Sequence, residues 1–217
     1  GHRQHVPEHV ALARSIVLAT ALAVLTACAS SGSSSPSAAP TSGSSASGSD
    51  TARSEAPVPA ESNPPGDIPD NLAFVPYKNV KGGYRFVHPE GWAEVTHGTD
   101  VHFTDKLNGV AVNVVTATQR PTVGSARRDD VARLRQTVPA FELRSVTGVS
   151  LPAGPAVLIV YRRNTTPDPV TGRQYRDEVQ EYDVWGHGRV VRLALFGVVG
   201  ADNVDAYRTM SRSLTLS

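Results

Sequence analysis

The only cysteine in the 217 residues, Cys28, follows directly on Leu25, Thr26 and Ala27. Leu, a small polar residue, Ala or Gly and then Cys is the order of the bacterial lipobox, and the chemistry explains it. The thiol accepts a diacylglyceryl group, and the small residues before it let a peptidase seat the backbone and cut just ahead of the modified cysteine. Two acyl chains anchor durably where one is marginal. Arg3 and Arg14 precede "SIVLATALAVLTA", a run short for a bilayer span and the right length for a signal-peptide core. Residues 1–27 are therefore read as a lipoprotein signal peptide. The mature chain is expected at the outer face of the cytoplasmic membrane, with the membrane as partner through the lipid on Cys28. An incidental buried thiol is the plainer alternative; the position, flanks and solitude of Cys28 argue against it.

Catalytic chemistry finds less support. A nucleophile needs a base within hydrogen-bond reach and a third group to orient that base. No Ser stands in a Gly-x-Ser-x-Gly elbow, and "KGGY" and "GHG" lack the following helix of a phosphate-cradling loop. His88, His97, His102 and His187 show no zinc-ligand spacing and read as surface and turn histidines. Asp177, Glu178, Glu181 and Asp183 crowd one strand-like stretch, with Arg162, Arg163, Arg173 and Arg176 nearby. Cross-strand ion pairing on a solvated face explains them better than a paired-acid site. No catalytic residue, cofactor or metal is expected. A formal charge of +1 gives no electrostatic reason to bind nucleic acid. For recognition the candidates are Trp185 and the "TTPDPVTG" loop, with Asp168 and Thr171, as one surface patch; Trp92, after a turn, reads as core packing.

The elements that must position these residues begin late in the chain. Residues 28–66 are the lipidated cysteine and a Ser-, Pro- and Gly-rich tether, too poor in apolar side chains to offset the entropy of ordering. As a flexible coil its ends would sit roughly 35 Å apart. From 67 to 217 the pattern is that of one globular domain. "YRFVHP", with "PEG" turning into Trp92, looks like an edge into a sheet; "VHFTD" and "GVAVNVVTAT" form a hairpin across "DKLNG". After Pro121 the period changes to helical, with Val123, Ala126, Val131, Leu134 and Val138 on one face. "PAVLIVYRR" reads as a strand covered on both faces, "YRDEVQEYDVW" as a strand near an edge, and "RVVRLALFGVV" as central. A last helix, capped by Asp202, carries Val204, Tyr207, Met210 and Leu214 as its stripe. The fold class is α+β, a mainly antiparallel sheet with flanking helices.

In this order, "IPDNLAFVPY", "YRFVHPEGWAEV", "VHFTDKLNGVAV", "DPVTG" and "GADNVDAYR" resemble the PsbP-like lipoproteins of actinobacteria, the LpqN type, from about Ile68 to the end. The resemblance implies an α/β/α sandwich of the Mog/PsbP kind. His88 stands where that pattern more usually has an aliphatic or small polar residue. Members of the superfamily assist photosystem II or bind a small GTPase, and the lipoproteins mostly lack an assigned activity. No contact residue for either role maps onto this chain, so neither is carried over. The expected function is a non-enzymatic binding or protein-interaction domain at the cell envelope. Its alternatives are a carrier or chaperone for a lipid or other apolar molecule and, behind that, an envelope hydrolase. Radiolabelled palmitate should enter the wild-type protein in its host and be absent from Cys28→Ala; equal labelling of the two would refute the anchor.

Overall fold

The computed structural model of the chain describes residues 55–62 and 64–217; Leu25, Thr26, Ala27 and Cys28 lie outside the described residues. Five strands come first: β1 (Phe74–Asn79), β2 (Tyr84–Pro89), β3 (Ala93–His97), β4 (Asp100–Asp105) and β5 (Asn108–Thr116). A helix follows, α1, which starts at Val123–Ser125, widens to π geometry over Ala126–Asp130 and closes as α-helix over Val131–Thr137. Next are β6 (Glu142–Leu151), β7 (Gly154–Asn164), β8 (Arg176–Gly186), β9 (Arg189–Val198), the helix α2 (Val204–Ser213) and the short β10 (Thr215–Leu216). Strands β3 to β9 form an antiparallel sheet in the order β3-β4-β5-β9-β8-β7-β6, and β1-β2-β10 form a second, three-stranded sheet.

Local chemistry sets the joints. His187 and Gly188, at φ 52° and 73°, join the paired residues Gly186 and Arg189; two left-handed residues in a two-residue loop match the twist of a hairpin. Thr122 and Ser125 exchange side-chain and backbone hydrogen bonds in a capping box that starts α1,. The period of two then sorts the core. On β9, Val191, Leu193 and Leu195 turn toward Tyr207, Met210 and Leu214 of the α2 region and toward Tyr84, Phe86 and Phe103. Ala194 and Phe196 turn the other way, into the cluster where Ala126, Val131 and Leu134 of α1 meet Val157, Ile159 and Val179. One helix covers each face, and the domain has the α+β class that the patterns imply and the α/β/α arrangement that the resemblance implies.

Several expectations need correction. Strand β8 is interior, between β9 and β7, and β2 is the middle strand of its sheet; both were read as edges. The polar character of β8 misled because its charges find partners inside the protein. Asn203, not Asp202, precedes α2. The Asp202 N–H donates to Asp67 Oδ1 at 2.8 Å, and Asn203 instead accepts from Ile68 N at 2.7 Å and donates to Asn108 Oδ1 at 3.0 Å. Val204, expected on the apolar stripe, is 61% exposed. Trp92 is buried, as expected. Replacing Leu193, fully buried in the larger cluster, with Ala should cost about 2 to 5 kcal/mol of unfolding free energy. Urea denaturation measures it, and a loss under about 1 kcal/mol would mean that this face is not close-packed.

Candidate functional site

Asp177, Val179, Glu181 and Asp183 alternate onto the face of β8 that α1 covers. The three carboxylates are buried, at 2%, 6% and 1% exposure, so the solvated face expected for them is wrong, while the cross-strand pairing holds. Arg163 of β7 lies directly across from Asp177, and Arg192 of β9 directly across from Asp183. Arg133 of α1 reaches down to Glu181 at 3.3 Å. Glu178, on the opposite face, pairs with Arg162 at 3.0 Å. Buried charge costs several kcal/mol per ion before compensation, which is why each acid here has a guanidinium for a neighbour.

At the end of the sheet where β8 begins, the β4–β5 turn, the β7–β8 loop and β9 enclose a cleft of about 370 Å³. Its floor is built in steps. Gly109 pairs with Phe196, and a Cβ at 109 would collide with the Phe196 ring, so the missing side chain lets that ring lie across β5. The Arg163 guanidinium rests over the ring, 4.6 Å from its centroid, a cation–π contact. Held there, Arg163 Nη2 meets Asp177 Oδ2 at 3.5 Å. The pair is incompletely satisfied: Asp177 Oδ1 and Arg163 Nε have no hydrogen-bond partner. Burial pushes Asp177 up to about 6, against the pull of Arg163. Lys106, at φ 52°, and Arg173, stacked over Tyr175 at 4.7 Å, line the rest of the cleft with Leu107 and Pro139.

Of the residues singled out by sequence, Asp168 lines this cleft and Thr171 shapes its loop. Asp168 Oδ1 accepts from Val170 N, Thr171 N and Thr171 Oγ1 at 3.0, 2.7 and 3.0 Å, which holds its carboxyl below the usual range. Trp185 does not join them. It lies at the far end of β8, roughly 30 Å away at 3.3 Å per residue, where Nε1 donates to Ala117 O at 3.1 Å. His97, His102 and His187 are exposed. His88 is not: it is buried and stacked on Phe103, ring centroids 3.6 Å apart, and burial holds its imidazole below the ordinary value. Phe196 and Gly109 escape the sequence reading, which takes Arg163 only as one of several arginines near the acids of β8. The alternation of Val157, Ile159 and Tyr161 would have put Arg163 on the inward face, but its partner becomes visible only through the strand register.

The segment before the sheet also ends here. Asn164 at the end of β7 accepts from Val58 N at 3.0 Å and donates to Ala56 O at 2.8 Å, and Arg173 bonds Glu61 at 2.9 Å. Among the described residues no group of three or more His, Cys, Asp or Glu is placed to hold a metal ion, and no helix is long and apolar enough to cross a membrane. The sequence matches no protein family and no curated protein. Solved structures similar to the chain include cyanobacterial PsbP (CyanoP) from Synechocystis sp. PCC 6803, at 18% identity over 70% of this chain and 99% of that one, TM-score 0.46. Another is the Ran-binding protein Mog1p of Saccharomyces cerevisiae, at 10% identity over 67% and 96% of the two chains, TM-score 0.44.

The raised value of Asp177 fixes a sign. Its protonated form is favoured in the native state, so its contribution to stability is full below the unfolded value of about 3.9 and is lost as pH rises through about 6,. Thermal melts across that window should fall less steeply with pH in Asp177→Asn than in the wild type. Parallel curves would show that Asp177 is not held high.

Proposed function

We propose that the chain is a lipid-anchored extracytoplasmic binding module of the actinobacterial PsbP-like lipoprotein type, held to the outer face of the cytoplasmic membrane through Cys28, and that it binds rather than transforms its ligand. The lipobox order at residues 25–28 supports the anchor. The observation that carries the binding role is that Arg163 and Asp177 both line the loop-end cleft and that Arg163 Nε, a donor, and Asp177 Oδ1, an acceptor, are buried without hydrogen-bond partners. Buried polar atoms without partners are uncommon and costly. A group that offers a carbonyl next to an N–H satisfies both, and the amide is the common one. The Phe196 and Tyr175 rings in the same lining suit a flat apolar body attached to that amide, and the volume falls within the range of small-molecule sites.

Binding is favoured over hydrolysis by the composition of the wall. The cleft is lined by Thr, Asn, Asp, Lys and Arg with apolar and aromatic residues, and by no Ser, Cys or His, so the Ser–His and Cys–His pairings of nucleophile and general base are not supplied there. A lipid carrier would need a long apolar cavity. Between the sheet and α1 that space is filled by Ala126, Val131, Leu134, Val157, Ile159 and Val179.

Nicotinamide, a flat aromatic ring bearing a primary amide, is a direct probe. In nitrogen-15 NMR titrations of the full chain, millimolar nicotinamide should shift the amides of residues 163–166 and 196 and leave those of α2 in place. Arg163→Ala should abolish the response. Shifts scattered over the surface, or a response unchanged in Arg163→Ala, would remove the cleft as the site.

A further inference from the structure

A second cleft lies at the other end of β8. Residues 115–122, leaving β5, pass the start of α1 and enclose with Val190 and Arg192 of β9 a space of about 620 Å³. Its charged lining pairs off almost completely. Arg128 meets Asp129 at 3.2 Å, Arg192 meets Asp130 at 2.6 Å, and the Arg120 guanidinium lies 5.8 Å from the centroid of the Trp185 ring. Deeper in, Arg133 serves Glu181 at 3.3 Å and Asp130 at 3.6 Å. Asp183 is left over. It is 1% exposed, neither carboxylate oxygen has a hydrogen-bond partner, and Arg192 Nε stands 3.7 Å from Oδ1 while the same guanidinium is engaged by Asp130. Asp130 closes the π-widened stretch of α1, a distortion that recurs at functional sites.

We propose that this cleft is a binding site for a small organic cation, whose primary ammonium or guanidinium group seats on Asp183. Both cationic groups carry several N–H donors, enough to meet the two oxygens that no hydrogen bond in the protein satisfies,. Arg128 and Arg192 in the lining are already engaged by Asp129 and Asp130, which leaves Arg120 as the cation an anion would have to use. Val115, Pro121 and Val190 in the lining suit a short apolar stem on the ligand.

The charges around Asp183 give the site a proton signature. Glu181 of β8, Arg192 of β9 and Asp130 and Arg133 of α1 act on it by charge, its own field reaches Tyr161 of β7, and Arg120, Arg128 and Asp129 line the cleft around it. Burial first, then the repulsion of Glu181, holds its carboxyl up to about 8 against the pull of Arg192, which favours the protonated form. Seating a cation breaks that O–H bond, the proton passes to the buffer, and the carboxylate keeps the electron pair.

Isothermal titration of the full chain with agmatine at pH 7, in phosphate and in HEPES, tests this. The expected result is one agmatine per chain, with close to one proton released, read from the dependence of the heat on the buffer. Asp183→Asn should weaken binding at least about tenfold, whereas Asp205→Asn on the exposed face of α2 should not change it. A melt of Asp183→Asn checks that it folds. If it does not, carbon-13 carboxyl NMR of the wild type decides: the carboxyl that titrates near 8 should move well below neutral when agmatine saturates. No heat from millimolar agmatine, uptake without proton release, equal affinity in a folded Asp183→Asn, an unmoved carboxyl, or binding of succinate in place of agmatine would each overturn the proposal.

Discussion

Compensation of charge inside the sheet is the constraint on which this domain turns. Two opposite unit charges 4 Å apart attract by about 4 kcal/mol at the effective dielectric of a protein near its surface, and burying each ion costs a comparable amount. The balance is therefore close, and small differences in exposure decide it. At Glu142, half in water, the hydrogen bonds from Arg176 and Arg144 win and its carboxyl is held low. At Asp177 and Asp183, buried on one face of β8, desolvation wins and both are held high. The strand thus carries acids with opposite tendencies to the surface carboxylates, and α1 must keep Arg133 and Asp130 in register above them. A buried pair of this kind adds little over an apolar core, but removing one partner costs about 3 to 5 kcal/mol.

That balance also explains where unpartnered polar atoms collect. Interior positions of β8 have neighbours on both flanking strands as well as the helix above, and Glu181 in the middle is served by Arg133. Towards the two ends of the strand the surrounding elements part, and there the compensation is incomplete. Asp177 and Asp183 sit at those ends, each opposite a single cross-strand arginine at 3.5 and 3.7 Å. The two clefts are consequences of one strand being charged along its length and closed over only in its middle.

Much of the architecture was legible because it follows from period and turn chemistry. The β4–β5 hairpin, the helix after Pro121, the central place of β9 and the last helix all correspond to patterns of apolar spacing. The misreading of β8 has a definite origin: alternation assigns Asp and Glu to water, and an interior strand with three acids on its covered face violates that rule wherever arginines stand opposite. Those arginines are in β7, β9 and α1, and only the register brings them across. Trp185 and the Asp168 loop show the converse error. They are near in sequence, but an extended strand between them is the longest separator a short peptide can make. His88 was misplaced for a smaller reason, since a ring stacked on Phe103 satisfies an apolar position as well as an aliphatic side chain does.

Asn164 ends an interior strand and also grips Ala56 and Val58. The segment at Ala56 and Val58 is therefore fastened to a side chain at the tip of β7, whose ladders to β6 and β8 run along both its sides. Shortening that one side chain would release the segment without removing a rung from either ladder.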